Sequence, residues 1–146
     1  MSAHNYEALK LENQLCFPLY ACSKEIIRHY TPYLNKIGLT YTQYLVMMVL
    51  WEDNSLSSKE LGRRLFLDSG TLTPLLRKLE SKGFVTRKRC HEDERNLIVT
   101  ITESGVALCD QALGIPQAVA DSLGLSPEES AALHGILNKM MNKFRE

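Results

Sequence analysis

Few folds accommodate the order of signals between residues 55 and 101. Ser57-Ser58-Lys59-Glu60 has capping-box spacing, in which a hydroxyl and a carboxylate three residues apart satisfy each other's backbone N–H groups. It opens a short helix that ends near Phe66. Asp68-Ser69-Gly70 makes a turn, and TLTPLLRKLESKG continues as a helix. That helix begins between Ser69 and Thr73, because Pro74 suits a first turn, and it stops at Gly83. Two short helices across a tight, glycine-bearing turn read as helix-turn-helix. FVTRKR and NLIVTIT, two β-rich runs around the polar CHEDER, then read as a hairpin. Helix, turn, helix, hairpin is the order of a winged helix.

The flanking segments are helical. Leu15, Leu19, Ile26 and Tyr30, with Cys22 and Ile27 beside them, recur with a 3.6 period and predict a first helix over residues 11–31. Pro18 is tolerated only in a first turn, so the regular helix starts or kinks at Phe17–Pro18 and leaves Cys16 near a helix N-terminus. Thr40-Tyr41-Thr42-Gln43 is a second capping box, and the helix through Tyr44 to Trp51 is apolar on nearly every side, which predicts a central, buried element. From Glu103 the chain is helical again, interrupted around Gly114 and Pro116. A last helix opens at Ser126-Pro127-Glu128-Glu129 and carries Leu133, Ile136, Leu137, Met140, Met141 and Phe144. An apolar face that broad needs a partner, and the same helix of a second subunit supplies one economically. The expected architecture is therefore mainly α with a small β-hairpin wing: a single domain over 1–146, a helix-turn-helix part at 55–101, and dimerisation helices at 9–31 and 104–146.

Composition removes several classes. No apolar run approaches the roughly 18 residues needed to span a bilayer, and the N-terminus MSAHNYEALKLENQ lacks the basic start and apolar stretch of a secretory signal. A cytoplasmic protein without a membrane partner is expected. The four cysteines, Cys16, Cys22, Cys90 and Cys109, form no C-x-x-C pair, and the histidines show no metal-ligand spacing, so neither a metal site nor a cofactor is expected.

Net charge is zero, but it is unevenly spread. Between Lys59 and Arg95 ten Lys/Arg stand against six Asp/Glu, an excess of four. In a winged helix the second helix of the turn enters the major groove and the hairpin tip reaches the adjacent minor groove. That geometry directs Ser69, Gly70, Thr71, Thr73 and Arg77 at double-stranded DNA, with Arg87, Lys88, Arg89 and Arg95 on the wing. Backbone N–H groups near Gly70 offer a phosphate seat, and Arg77 is the reader of a guanine edge. The alternative is that the arginines form surface ion pairs with Glu92, Asp93 and Glu94.

ELGRRLFLDSGTLTPLLRKLESKGFVTRKR followed by DERN resembles the winged-helix segment of MarR-family repressors. LENQLCFPLYA, GLTYTQYLVMMVLW and LDSGTLTPLLRKLE together resemble the organic-hydroperoxide-sensing branch of that family, OhrR, from about Leu9 to Ser104. Two positions depart from the pattern: Pro18, where a plain helix former is usual, and the acidic D-E-R-N of the wing. The resemblance implies a dimer on a pseudo-palindromic operator, Cys16 as peroxide sensor, and Tyr20, Tyr30 and Tyr41 around its sulfur.

Elementary chemistry gives such a cluster a purpose. A thiolate, not a thiol, attacks a peroxide, and an ordinary cysteine is only a few per cent thiolate at neutral pH. Phenol O–H groups donate to the sulfur anion without adding a charge, and a hydrogen bond to a charged group is worth about 1.5–3 kcal/mol. Tyr20 lies four residues beyond Cys16 and shares its face. Tyr30 lies fourteen residues on, about 21 Å along the same helix. It cannot reach its own Cys16, so a pocket using it is built across a dimer interface. Leu15, Phe17 and Leu19 would make that pocket apolar enough for an organic hydroperoxide. Oxidation would give a sulfenic acid. Cys22 points to another side of the helix and no second cysteine matches a resolving role, so a mixed disulfide with a small cellular thiol is the expected end. Two rivals stand beside this reading: a MarR-type repressor relieved by a small aromatic ligand, and a thiol peroxidase.

Overall fold

The computed structural model describes residues 6–90, 92 and 96–145. Two single 3-10 turns, Tyr6–Leu9 and Leu11–Asn13, precede α1 (Cys16–Asn35). The periodic segment from residue 11 becomes regular helix only at Cys16, close to the expected start at Phe17–Pro18, because the ring of Pro18 would collide with the carbonyl of Gln14 if the helix continued upstream. Pro18 instead occupies the first turn of α1, where its missing N–H is no loss. The side chains of Asn13 and Gln14 hold the preceding turns by donating to the carbonyls of Glu7, Ala8 and Lys10 at 2.7–2.8 Å. At the other end α1 runs beyond the predicted residue 31 and leaves through Gly38, whose φ of +72° suits a residue without Cβ.

The box at Thr40 forms as predicted: Gln43 N donates to Thr40 Oγ1 at 3.3 Å, and Thr40 N donates to Gln43 Oε1 at 3.0 Å. It opens α2 (Tyr41–Asp53), which is central: Tyr44, Val46, Met47, Val49 and Leu50 are all buried.

β1 (Ser55–Ser57) leads directly into α3 (Ser58–Leu65), whose cap is Ser57 Oγ accepting from Glu60 N at 3.1 Å. The Glu60 carboxylate grips Arg63 in the next turn. In α4 (Ser69–Ser81) Asp68 caps the start by accepting from Thr71 N at 2.8 Å. Pro74 therefore sits in the second turn of α4 and not the first: the carboxylate cap sets the boundary, and the proline forgoes only the bond to Gly70 O. Gly83, at φ +81°, turns the chain into β2 (Val85–Arg89), which pairs antiparallel with β3 (Leu97–Ile101) as the hairpin predicts. β1 adds a third strand in the order β1-β3-β2, with Leu56 opposite Val99. It escaped the sequence reading because three residues that end in a helix cap carry no period.

α5 (Glu103–Ala112) packs closely on the hairpin. A Cβ on Gly105 would lie 2.4 Å from Phe84 O and 2.7 Å from Ile101 Cγ1, so only glycine fits. Trp51 Nε1 donates to Gly105 O at 2.8 Å and ties α2 to the same point. The core is completed by Leu61, Leu72, Leu75, Leu76, Leu79, Val85 and Val99.

The chain divides into two compact units, Met1–Leu113 and Gly114–Glu146. The second unit holds α6 (Ile115–Ser122), with Pro116 in its first turn, and α7 (Pro127–Phe144). The predicted box at Ser126 is formed with Glu129, and the bonds from Ser126 hold the Glu129 carboxyl below the usual carboxylate range. Leu133, Ile136, Met141 and Phe144 are exposed on α7. Among the described residues no helix is long and apolar enough to cross a membrane.

Candidate nucleic-acid interface and thiol site

Burial splits α4 cleanly. Leu72, Leu75, Leu76 and Leu79 face the core, while Ser69, Gly70, Thr71, Thr73 and Arg77 are all exposed. A helix of this amphipathic kind shows water one continuous side, and here that side begins with the amides of Ser69 and Gly70 and continues to a guanidinium. The structure brings these five predicted residues together.

The wing is divided. Side chains alternate along β2, so Thr86 and Lys88 point to one face and Arg87 to the other. Lys88 and Arg89 are exposed. Arg87 is not, with 19% of its side chain accessible: its Nη2 and Nε donate to Glu80 Oε1 at 3.1 and 3.3 Å, and its backbone N–H donates to Glu80 Oε2 at 3.1 Å. Arg87, expected on the DNA-facing wing, braces the wing against α4, and the bonds from Arg87 hold the Glu80 carboxyl below its usual range. Among the described residues the partner is Glu80 on α4. Arg95 falls outside the described residues, as do Asp93 and Glu94. In α3, Arg64 bridges Glu52 and Asp53 at the end of α2, which fixes α3 against the core.

Cys16 is the first residue of α1 and is exposed, beside exposed Leu15, Phe17 and Tyr20. Tyr20 is 60% accessible, and the Lys24 ammonium lies 5.0 Å from its ring centroid. Tyr30 and Tyr41 meet: their centroids are 5.0 Å apart, joining α1 to the first residue of α2. Unbroken helix separates Cys16 from Tyr30, so the rise between them is about 21 Å.

Sequence reasoning missed two members of this aromatic group. Tyr44 lies 5.8 Å from Tyr30 and 6.3 Å from Tyr41, and Trp51 stands edge-on to Tyr44 at 6.3 Å. The spacings 41, 44 and 51 on one helix were the available signal. Burial pushes all three phenols up, Tyr44 to about 12, with the neighbouring phenols adding to the effect at Tyr41 and Tyr44. Each therefore stays protonated at neutral pH and keeps an O–H to donate. All four cysteines are free thiols, and no metal-holding cluster of His, Cys, Asp or Glu occurs among the described residues.

A capped helix-turn-helix with a polar, cationic outer side and a braced three-stranded wing defines a DNA-binding transcriptional regulator of winged-helix type. The family described as transcriptional regulator SarA/Rot matches residues 28–112. The organic hydroperoxide resistance transcriptional regulator of Bacillus subtilis is 46% identical over 89% of this chain and 86% of its own length. The regulator SarZ of Staphylococcus haemolyticus is 48% identical over 90% of both. A solved structure of reduced AbfR bound to DNA is 36% identical, with a TM-score of 0.75 over 98% of this chain and all of that one. The chain belongs to the MarR family of winged-helix transcriptional regulators, in its organic hydroperoxide resistance branch. It is a regulator of transcription and not an enzyme.

Proposed function

We propose that the protein is a homodimeric repressor whose hold on operator DNA is broken when an organic hydroperoxide oxidises Cys16. The observation that carries this reading is the separation of parts. The exposed thiol and the Tyr30–Tyr41 pair stand at opposite ends of one rigid helix, about 21 Å apart. A second copy running the other way brings each thiol to the partner's phenols, and the exposed Leu15, Phe17 and Tyr20 then line the join. Residues 9–31 and 104–146 supply the dimerisation helices, and 55–101 the DNA-binding part. Ser69, Gly70, Thr71, Thr73, Arg77, Lys88 and Arg89 face the duplex.

The chemistry follows. The Cys16 thiolate attacks the distal peroxide oxygen, the O–O bond breaks, and the alkoxide leaves as the alcohol after taking a proton. Sulfur is oxidised to the sulfenic acid and the peroxide is reduced. A small cellular thiol then condenses with the sulfenic acid, releasing water and forming a mixed disulfide. New bulk at the phenol cluster changes dimer geometry and with it the spacing of the two α4 helices, which must match half-sites about one helical turn apart or a multiple of it. The hydroperoxide-regulator relative supports the signal, and the DNA-bound AbfR neighbour supports the target.

Cys16→Ser tests this directly. The variant is expected to bind operator DNA as the wild type does and to stay bound in the presence of cumene hydroperoxide, with intact mass showing no adduct. Release of the variant by peroxide would remove Cys16 from the mechanism.

A further inference from the structure

We infer that Lys82 is a positioning residue that links the tyrosine corner of α1 and α2 to the recognition helix α4, so that movement at the phenols reaches the DNA-reading end. The inference rests on the redox reading above and adds the path within one protomer. The Lys82 ammonium donates to Gly38 O at 2.5 Å and to Gln43 Oε1 at 3.0 Å. Three helix ends meet there: Gly38 is the exit of α1, Gln43 belongs to the capping box of α2, and Lys82 is the C-cap of α4.

Two features give this contact more directional content than an ordinary surface lysine has. Gln43 is the one buried polar side chain among the described residues, 2% exposed, and its Oε1 is already held by Thr40 N. The acceptor is therefore fixed in space. The Gly38 carbonyl is fixed as well, because Gly38 N donates to Asn35 O and Leu39 N to Leu34 O on either side of it. Tyr41 follows Thr40 directly, and its ring lies against Tyr30, so a shift of the phenols moves the corner that Lys82 grips.

The apolar contacts between α2 and α4 are non-directional and let the helices slide. Hydrogen bonds from a helix end do not. Ser69 lies about 20 Å along α4 from that end, and a tilt of about 5° there would carry it roughly 1.7 Å, enough to disturb phosphate and base contacts. Loss of the contact leaves the fold intact, since Gln43 keeps its bond from Thr40 and the Gly38 carbonyl is open to water.

The test uses the full chain as wild type, Lys82→Met, Lys82→Gln and Lys82→Arg, titrated with a duplex selected on the reduced wild-type protein, before and after cumene hydroperoxide. Intact mass reports Cys16 oxidation, and the fluorescence of Trp51, the single tryptophan, reports on the aromatic cluster. Lys82→Met and Lys82→Gln are expected to oxidise at the wild-type rate, to show the same Trp51 response and, when reduced, to bind DNA within about threefold of wild type, yet to lose most of the peroxide-induced drop in affinity, a change of about fivefold or more. Lys82→Arg restores it. Equal weakening of DNA binding in both redox states would make Lys82 a phosphate contact or a structural prop and overturn the inference, as would full release of both uncharged variants. Wild-type protein that is not released by peroxide would sink the redox reading itself, and this inference with it.

Discussion

Tyr30 on α1 and Tyr41 on α2 lie with ring centroids 5.0 Å apart and planes tilted by 52°, while the Cys16 thiol that they are read to serve stands at the far end of α1. In the proposed mechanism, this contact within one protomer supplies a pair of donors for the sulfur of a second copy, since about 21 Å of helix separates Tyr30 from its own Cys16. Their burial keeps both phenols neutral, which suits a donor to an anion better than a cation that would itself need solvating.

Tyr30→Phe and Tyr41→Phe keep the rings and remove the donors. Each is expected to slow the reaction of Cys16 with cumene hydroperoxide about tenfold, because a hydrogen bond to a charged group is worth about 1.5 kcal/mol or more. Thermal stability and reduced-state DNA affinity stay near wild type. Stopped-flow oxidation kinetics decide the matter, and an unchanged rate in both variants would leave the tyrosines as packing residues.

Substitution of Arg77, Lys88 and Arg87 tests three roles proposed for one kind of charge. Arg77→Ala is expected to cost about 1–3 kcal/mol of DNA affinity and to relax discrimination at one base pair, as loss of a base-reading arginine does. Lys88→Ala weakens all sequences alike and lowers the salt slope by about one. Arg87→Ala acts through Glu80: it lowers thermal stability and leaves the salt slope nearly unchanged. The Glu80 carboxyl is held below its ordinary value by Arg87, so the stabilisation is fully present above that ordinary value and fades as pH falls through the depressed one. The wild-type advantage over Arg87→Ala should accordingly vanish in acid. An advantage that persists there, or a salt slope altered by Arg87→Ala, would count against the brace.

Tyr44 carries the opposite sign. Its phenol is pushed up to about 12, chiefly by burial, against an ordinary value near 10. A raised value favours the protonated folded state, so its contribution is complete below about pH 10 and is lost as pH climbs through about 12. Denaturant midpoints are expected to fall across that window in the wild type and to fall less in Tyr44→Phe. Ultraviolet phenolate absorbance should show late-titrating tyrosines that appear only after the ordinary ones.

The parts of this protein legible in its sequence are those decided within one helical turn. The caps at Thr40, Ser57 and Ser126 could be read because a side chain and an amide three residues apart settle the matter between themselves. Two β-rich runs around the polar CHEDER marked the hairpin in the same local way. Asp68 shows the limit of that reading: its cap outranked the proline that seemed to announce a first turn, since two local signals competed and the stronger bond won.

What the sequence could not decide involves partners far apart in the chain. Arg87 was assigned to DNA by its place in a basic wing, but the pleat turned it towards Glu80 on α4. β1 exists because β3 lies beside it, forty-five residues on from Ser55 to Thr100. Tyr44 joined the phenols, and Lys82 met Gly38 and Gln43, only when α1, α2 and α4 packed on one core. Residue order determines which local bonds are available and which face of each helix is apolar. The packing of those faces then chooses which distant polar groups meet, because a hydrogen bond requires two atoms within about 3 Å, and only the assembled core sets distances that fine.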